Sequence, residues 1–374
     1  MFIELVLLIS FLIFSLRLIF SFIGAVRERS KKVFKEFSKE PFFLSVVVPG
    51  RNEEENFRDC LLSIANSNYP IDKFEIIAVD DRSIDKTPEI LSKLKETIPN
   101  LRVINIDDTT KVKNLRGKPG ALQAGINNAN GEIIIMTDAD CIVNPDWLPT
   151  LAKTFEDKRI GMSAGYTAIK TKTLFDKIQA VEWTYLHTLA TTGVGFDIPL
   201  SCYGNNLAVK KEDFEAIGGY NSVGFSVTED LALMHAIHKS GKKIRYLTLE
   251  QSTITTLPCP NFKEYLKQKH RWAIGALDLG WIAFVFVLTS FSMWLGLAVS
   301  AITWQPWWFL SFLLLRIAGD SLITIPSAII LKRKDVVPWT VPAIFFFMFM
   351  ELIAPFLILK RDVKWKGQTF NTVS

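Results

Sequence analysis

The sequence contains few cysteines, few histidines and no strongly charged tract. Its four cysteines are scattered and none forms a C-x-x-C pair, so neither a zinc site nor a disulfide framework is indicated. Reduced cytosolic thiols are expected instead. His187, His235 and His238 also lack the spacing of metal ligands. The net charge is only +5, without an arginine-rich segment, low-complexity stretch or internal repeat, and we expect no nucleic-acid partner.

Apolar residues are abundant. Hydrophobic residues make up 49% of the 374 positions, and 28 of them are phenylalanine, which is too apolar for an ordinary soluble enzyme. They are concentrated at the two ends of the chain. The middle has mixed charge and is long enough for one α/β domain with its own core. The sequence therefore predicts a folded domain between membrane segments.

The first apolar stretch, Phe2–Val26, has an acidic residue, Glu4, at its start and a basic cluster after it. A secretory signal has the opposite charge order, so we expect an uncleaved anchor, with the following domain in the cytosol. A bacterial inner membrane is the expected location. Arg17 lies near the middle of this anchor, where a charge requires a partner or must reach the membrane surface. Three more segments have the length of a span: Leu279–Ile302, Trp307–Leu331 and Val337–Leu359.

The basic tail after the last segment creates a conflict. Three complete crossings would place residues 360–374 outside, although basic residues favour the cytosolic side. Pro342, Glu351 and Pro355 lie inside the last segment and are typical of a broken or re-entrant element that is buried in protein. We therefore expect a break there and a cytosolic tail. An ordinary third span with an external tail is the alternative.

The middle domain alternates short β-branched runs with segments of helical spacing. This pattern predicts a mostly parallel sheet covered on both faces, with its ligand at the carboxyl ends of the strands. One apolar run, Ile133–Thr137, ends in Asp138-Ala139-Asp140. Two carboxylates at this spacing suit Mg²⁺ or Mn²⁺ shared with a diphosphate, whereas a solvated Asp-rich turn is the plain alternative.

Several motifs occur in a fixed order around this D-x-D. They are Val46-Val47-Val48-Pro49-Gly50-Arg51-Asn52-Glu53-Glu54, Ile76-Ile77-Ala78-Val79-Asp80-Asp81, Gly117-Lys118-Pro119-Gly120, Thr228-Glu229-Asp230 and Gln268-Lys269-His270-Arg271-Trp272. Together they resemble the membrane-embedded family 2 glycosyltransferases, which include cellulose, hyaluronan and poly-N-acetylglucosamine synthases and ceramide or carotenoid glucosyltransferases. The resemblance covers about residues 44–275. Together with the apolar and basic segments, it implies an anchor at 1–26, a cytosolic GT-A domain at 40–260, an interfacial helix at 261–278, membrane helices at 279–359 and a basic tail at 360–374.

The resemblance also assigns roles to residues. The donor nucleotide sugar is expected to contact Pro49, Asn52, Glu53, Asp80, Asp81, Lys118, Asp138, Gln268, Arg271 and Trp272. Asp138 and Asp140 are the expected metal ligands, Asp230 is the expected general base with Glu229 beside it, and Tyr203, Gly204, Asn205 and Trp272 are expected on the acceptor side. Plainer explanations exist for three groups: helix capping for Asn52, Glu229 and Asp230, a solvated ammonium for Lys118, and membrane anchoring for Arg271.

These assignments imply an inverting, metal-dependent hexosyltransferase that moves one sugar from a UDP-sugar to a hydrophobic lipid acceptor at the cytosolic leaflet. The small membrane portion favours lipid-modifying members of the family. A processive synthase that secretes a β-linked polymer is the first alternative, and Gln268 at the head of its motif favours it slightly. A catalytically silent membrane scaffold is the rival of another class, and the complete set of acidic and Q-x-x-R-W residues argues against it.

Overall fold

The chain divides into two compact units in a computed structural model that describes residues 1–33, 36–37, 40–107, 117–223, 228–359, 362–365 and 368–371. The first unit, here called the α/β unit, comprises Glu28–Lys170 and Asp197–Leu257. The second, here called the helical unit, comprises Met1–Arg27, Thr171–Phe196 and Pro258–Ser374. Each unit is therefore assembled from segments that are separated in the sequence.

Helices and strands follow one another in a clear order. The helices are α1 (Phe2–Arg29), α2 (Phe57–Ala65), α3 (Thr87–Thr97), α4 (Lys118–Asn127), α5 (Trp147–Thr154), α6 (Leu174–Gly195), α7 (Lys211–Ala216), α8 (Gly219–Val223), α9 (Glu229–Lys239), α10 (Phe262–Ala276), α11 (Trp281–Ile302), α12 (Pro306–Ile330) and α13 (Thr340–Leu357). The strands are β1 (Leu44–Gly50), β2 (Phe74–Asp81), β3 (Leu101–Ile106), β4 (Ile133–Met136), β5 (Ile142–Val143), β6 (Ile160–Gly165), β7 (Thr167–Ile169), β8 (Leu207–Lys210), β9 (Lys243–Leu247), β10 (Ile254–Thr256), β11 (Asp362–Trp365) and β12 (Gln368–Asn371).

A seven-stranded sheet in the order β3-β2-β1-β4-β8-β6-β9 forms the centre of the α/β unit. Strand β1 runs parallel to β2 and β4, and β2 runs parallel to β3. Strand β8 is antiparallel to both of its neighbours, whereas β9 is again parallel to β6. The prediction of a mostly parallel α/β sheet is therefore confirmed. The parallel half contains the strand ends at which the predicted site residues lie.

Both faces of the parallel half are covered, as continuous apolar strands require. Every residue of β1 and β2 is buried. Val46 and Val48 face the core that includes α2, α3 and α5. Val47 and Val79 face α4, where a Cβ atom on Gly125 would overlap the side chain of Val47. Glycine thus allows α4 to lie directly on the sheet.

Among the residues that the structure describes, four helical segments are long and apolar enough to cross a membrane. They are α1, α11, α12 and the segment Lys334–Leu357, which joins a 3₁₀ turn to α13. These segments match the four that the sequence predicts. Helix α6 falls inside the range 40–260 that the sequence assigns to the α/β domain, yet its contacts are with the helical unit. Its Thr192 donates a hydrogen bond of 2.7 Å to the carbonyl oxygen of Ser21 in α1.

Charged side chains meet in the middle of these apolar helices. Arg17 donates to the hydroxyl groups of Ser290 in α11 (2.7 Å) and Tyr185 in α6 (3.2 Å). Arg316 lies 2.7 Å from Asp320 within α12 and 2.8 Å from Glu351 in α13. Two cations and two anions therefore balance, and Arg17 has the partners that its position in an anchor requires.

Removing one charge of this cluster should destabilise the helical unit. We expect Arg316→Met to cost about 3 kcal/mol, because the buried Asp320 and the partly buried Glu351 would lose their cation. Thermal unfolding of the purified protein in detergent measures the loss. Arg333→Met is the matched control, since Arg333 pairs with the more exposed Asp335 and such a pair contributes less than about 1 kcal/mol. Equal shifts in the two variants would show that the buried cluster has no special role.

The last apolar segment differs from the prediction. Helix α13 continues without a break through Glu351 and contains Pro355 near its carboxyl end, so the predicted break at these residues is wrong. Glu351 needs no break because Arg316 and the indole N–H of Trp294 supply its partners (2.8 and 3.2 Å). The side of the membrane on which the tail lies stays a prediction.

We still expect a cytosolic tail, because β11 lies against α10, the predicted interfacial helix. The unbroken α13 would then have to enter the membrane without completing a crossing. Part of the tail, including Thr372, lies outside the described residues. A Thr372→Cys variant in a Cys259→Ser background should resist a membrane-impermeant maleimide in intact cells and react after permeabilisation. Trp304→Cys, in the turn between α11 and α12, is the control that should react without permeabilisation. Labelling of Thr372→Cys in intact cells would place the tail outside.

Candidate active site

The D-x-D follows β4 at the carboxyl edge of the parallel sheet. Ala139 is buried, and the two flanking aspartates are both partly exposed. Burial raises the pKa of Asp140 to about 6, and the nearby carboxylates of Asp138 and Glu53 add to that shift. Three acidic groups thus crowd together at a cost in free energy that a bound cation would relieve.

Two thiols that sequence reasoning did not assign to the site contact the D-x-D. Cys141 donates to a carboxylate oxygen of Asp140, and Cys60 donates to the main-chain carbonyl of Asp138, each at 3.4 Å. Burial raises the pKa of both thiols, so they remain protonated donors. Cys141 follows the motif directly, but the approach of Cys60 depends on how α2 packs on the sheet and has no signal in the sequence.

Lys118 connects the D-x-D with the T-E-D motif. Its ammonium lies 2.5 Å from the Asp138 carboxylate and 3.7 Å from that of Glu229. Burial alone would lower the pKa of Lys118, but the facing carboxylates of Asp138, Glu229 and Asp230 raise it overall. Lys118 is therefore charged and only 16% exposed, which argues against an ordinary solvated lysine. It lies at the first turn of α4, where free N–H groups favour an anion.

The T-E-D motif begins α9, with Glu229 as its first residue. One Asp230 oxygen accepts the backbone N–H of Leu231 (2.8 Å), which is an interaction of a helix start. The other oxygen accepts the backbone N–H of Gly204 (2.7 Å). A carboxylate has about four acceptor positions, so both oxygens can also accept from a substrate hydroxyl. Hydrogen bonds to the backbone and a chemical role are thus compatible in Asp230.

The loop that contains Tyr203, Gly204 and Asn205 lies partly at this site. A Cβ atom on Gly204 would lie 3.2 Å from the Lys118 ammonium and 3.4 Å from the Cβ of Asp230. Asn205 instead is buried, and its side-chain oxygen accepts from the hydroxyl of Thr167 (2.9 Å). The backbone of Gly204 is therefore beside the acidic groups, while the Asn205 side chain holds the loop to β7.

The residues predicted to hold the nucleoside lie on two adjacent loops. Asn52 follows β1, and its main-chain N–H donates to Ser83 while its side-chain oxygen accepts from Ile84, each at 2.9 Å. Asn52 therefore joins two loops and does not cap a helix. Beside it is a pocket of about 330 Å³, lined by Asn52, Glu53, Glu54, Glu55, Asn56, Ile84 and Asp85. Pro49, Asp80 and Asp81 are buried at the ends of β1 and β2.

Gln268, Arg271 and Trp272 belong to α10 in the helical unit, whereas the other predicted site residues belong to the α/β unit. Helix α10 begins at a cap in which the side chain of Asn261 accepts the N–H of Glu264 (3.0 Å). The Trp272 ring meets Trp183 of α6 edge to face, with ring centroids 5.4 Å apart. The motif thus lies on one defined helix with its tryptophan in an aromatic contact.

The residues of the D-x-D fit a divalent cation that is shared with a substrate. Among the residues that the structure describes, no group of three or more His, Cys, Asp or Glu side chains could hold a metal alone. Mg²⁺ commonly takes one or two protein carboxylates and completes its shell with phosphate oxygens and water. Asp138 and Asp140 supply two such carboxylates. The nearby carboxylates that raise the pKa of Asp140 would also attract a cation to this place.

Comparison with known proteins identifies the family. The model of "Glycosyl transferase family 2" matches residues 45–218, and that of "Glycosyl transferase family group 2" matches residues 133–357. The chain belongs to the family 2 glycosyltransferases. These two ranges together contain the D-x-D, the T-E-D and the Q-x-x-R-W motifs, so the predicted family is confirmed.

Relatives of this glycosyltransferase include enzymes with different products. A beta-monoglucosyldiacylglycerol synthase of Nostoc sp. is 28% identical over 263 residues, which are 68% of this chain and 53% of the relative. A poly-beta-1,6-N-acetyl-D-glucosamine synthase of Staphylococcus aureus is 29% identical over 230 residues, 61% of this chain and 53% of the relative. The chain spans about half the length of these curated relatives.

The fold of the glycosyltransferase also has a solved counterpart. A mannosyltransferase from Pyrobaculum calidifontis, PcManGT, solved in complex with GDP-Man and Mn²⁺, aligns with 96% of this chain and 98% of its own at a TM-score of 0.62. The two sequences are 20% identical. At this identity the likeness concerns the fold, and it confirms the predicted GT-A architecture with its added helices.

Proposed function

We propose that this glycosyltransferase moves one sugar from a UDP-sugar to a lipid acceptor at the cytosolic face of a membrane, with inversion at the sugar carbon. One observation carries the proposal: the Lys118 ammonium lies between Asp138 of the D-x-D and Glu229 of the T-E-D. In this proposal Lys118 binds phosphate, the D-x-D holds the metal and the T-E-D supplies the base, and their closeness at one edge of the sheet supports it.

The donor would be held along the carboxyl ends of the parallel strands. Asn52, Glu53, Asp80 and Asp81 offer oxygen acceptors for the base and ribose next to the buried Pro49. Lys118 and the first turn of α4 would bind the diphosphate, because a positive side chain and free N–H groups both favour an anion. Gln268 and Arg271 would add donors to the phosphates, as a guanidinium binds them in a bidentate manner.

Asp138 and Asp140 would hold Mg²⁺ or Mn²⁺, which when bound neutralises the negative charge on the departing nucleoside diphosphate. The Mn²⁺ in the related mannosyltransferase structure supports this proposal. The raised pKa of Asp140 supports it independently.

Asp230 would take the proton of the acceptor hydroxyl. An inverting displacement needs a carboxylate on the face opposite the leaving group, within hydrogen-bond distance of the attacking oxygen. The two backbone N–H groups that Asp230 accepts fix its orientation. Tyr203, Gly204 and Trp272 would form the acceptor side, where an indole presents an apolar face and one donor, and the buried side chain of Asn205 would hold the loop of Tyr203 and Gly204 in place.

A lipid acceptor is favoured by the four apolar helices and by the glucosyldiacylglycerol synthase among the relatives. A bacterial inner membrane would be the location. The polymer-forming relative is about as similar in sequence to this chain as the glucosyldiacylglycerol synthase is. The test below therefore includes a processive reaction as one of its outcomes.

The test uses purified full-length protein in lipid vesicles, incubated with a panel of labelled UDP-sugars and Mn²⁺ and then extracted with organic solvent. A discrete labelled lipid is expected. Label that stays in a high-molecular-weight fraction would establish a polymer synthase, and no product with any sugar would favour a silent scaffold. A parallel panel of GDP-sugars tests the choice of uridine, since product with GDP-sugars alone would overturn it.

A further inference from the structure

Of the five residues Gln268–Trp272 that form the Q-x-x-R-W motif, Lys269 is the one that is buried. Only four residues of α10 are buried, namely Tyr265, Lys269, Ile274 and Gly275. Tyr265, Lys269 and Trp272 follow one another at spacings of four and three residues, so they share one face of the helix. A lysine on the buried face of a helix is unusual and requires a partner.

The partner is Glu182 in α6. The Lys269 ammonium lies 2.7 Å from one Glu182 oxygen, and both side chains are about one-tenth exposed. The other Glu182 oxygen accepts the hydroxyl of Tyr265, also at 2.7 Å. Both carboxylate oxygens are therefore engaged, and Glu182 fixes the position of the ammonium relative to α10.

The fixed ammonium faces the tryptophan of the motif. It lies 3.9 Å from the ring centroid of Trp272 and 4.7 Å from that of Tyr265, distances at which a cation is attracted to an aromatic face. Trp183, which follows Glu182 in α6, meets the same indole edge to face. Trp272 is thus held by a cation and by an aromatic ring, both positioned from α6.

This arrangement is costly for a purely structural contact. Burial lowers the pKa of Lys269, and the Glu182 carboxylate opposes that shift. A buried ion pair often contributes no more to stability than a well-packed apolar pair of the same volume. An apolar side chain at 269 could join α10 to α6 equally well, but it could not attract an indole face. The cation is thus explained by what it does to Trp272.

We propose that Glu182 and Lys269 are positioning residues that set the orientation of Trp272 toward the sugar acceptor. This inference rests on the proposed function, in which Trp272 contacts the acceptor. Glu182 holds the ammonium, the ammonium holds the indole, and neither charged residue touches the substrate. Loss of either one should weaken use of the acceptor and leave use of the donor unchanged.

The test compares Lys269→Met in two backgrounds. In the wild-type background we expect kcat/KM for the acceptor to fall about tenfold, since a desolvated cation–π contact is worth roughly that factor, with the donor KM unchanged. In a Trp272→Leu background the same change should have an effect of less than about twofold, because the indole through which Lys269 acts is absent. Lys269→Arg should restore most of the activity, because a guanidinium also attracts an indole.

Lys267→Met is the matched control. Lys267 is in the same helix and pairs with Glu264, but its side chain is about half exposed. We expect its removal to change kcat/KM by less than twofold. Should Lys269→Met fail to fold, Glu182→Gln replaces it, since the amide oxygen still accepts from Tyr265 while the charge that holds Lys269 is lost.

The outcomes separate the inference from the proposed function. If the wild-type protein forms no glycosylated product, the proposed function fails. If it does form product and the Lys269 or Glu182 change has the same effect with and without Trp272, the pair is a structural contact only and the positioning role is wrong. A change in donor KM rather than acceptor KM would likewise overturn it.

Discussion

Asp140→Asn is expected to abolish sugar transfer. The variant keeps the size of the side chain but removes the charge that would hold the divalent cation against the diphosphate, and an amide is a much weaker ligand for Mg²⁺ or Mn²⁺. The carboxylates of Asp138 and Glu53 add to the raised pKa of Asp140, a shift that a bound cation would relieve. Product formation is measured over a titration of Mn²⁺, so that weakened binding can be separated from lost chemistry.

Asp59→Asn is a suitable control for that experiment. Asp59 lies on α2, and its side chain is largely exposed, so the same change of charge should leave transfer within about twofold of the wild type. Near-normal activity of Asp140→Asn at saturating Mn²⁺ would contradict the assignment of Asp140 as a metal ligand.

Asp230→Asn should reduce kcat by ~10²–10⁴-fold and leave donor binding almost unchanged, because an amide cannot accept the proton of the acceptor hydroxyl. The amide oxygen can still accept a backbone N–H from Gly204 or Leu231, so the loop should keep its conformation. Kinetics at saturating acceptor give kcat, and calorimetric titration with the UDP-sugar gives the donor affinity.

A loss of donor affinity in Asp230→Asn would assign this residue to the donor site. Glu229→Gln is the companion variant. Glu229 lies 3.7 Å from the Lys118 ammonium, so its neutralisation should alter donor affinity more than kcat. The opposite pattern in the two variants would exchange their proposed roles.

The motifs of the α/β unit could be predicted from sequence because their signals are local. An apolar run that ends in Asp138 and Asp140 specifies a buried strand and the edge at which the carboxylates emerge. The four apolar segments were equally clear, since length and composition decide them. The sequence indicates that Arg17 needs a partner but does not identify it. Ser290 is 273 residues away in the chain, and only the packing of the helices brings it near.

The rest depended on pairs that no local pattern reveals. The break expected at Glu351 and Pro355 was inferred from a carboxylate and a proline inside an apolar segment, but α13 is unbroken and Arg316 pairs with Glu351. From the sequence, Lys269 resembles the other basic residues of an interfacial helix, and only the structure shows that it pairs with Glu182. Helix α6 has several polar threonines on its buried face, so its sequence resembles that of a helix in a soluble domain. The sequence therefore does not predict that α6 belongs to the helical unit.

The contacts of α6 set the order in which the protein can be completed during synthesis. The chain leaves the α/β unit after Lys170 and returns to it at Asp197, so α6 is made well before most of its partners. Thr188 of α6 must wait for Ser327 of α12, 139 residues later, to form the hydrogen bond of 2.6 Å that joins them. In a nascent chain that is released before α12 emerges, α6 therefore lacks the helix that it packs against. A truncated fragment that covers both segments of the α/β unit also includes α6, and there α6 would lack α12 permanently.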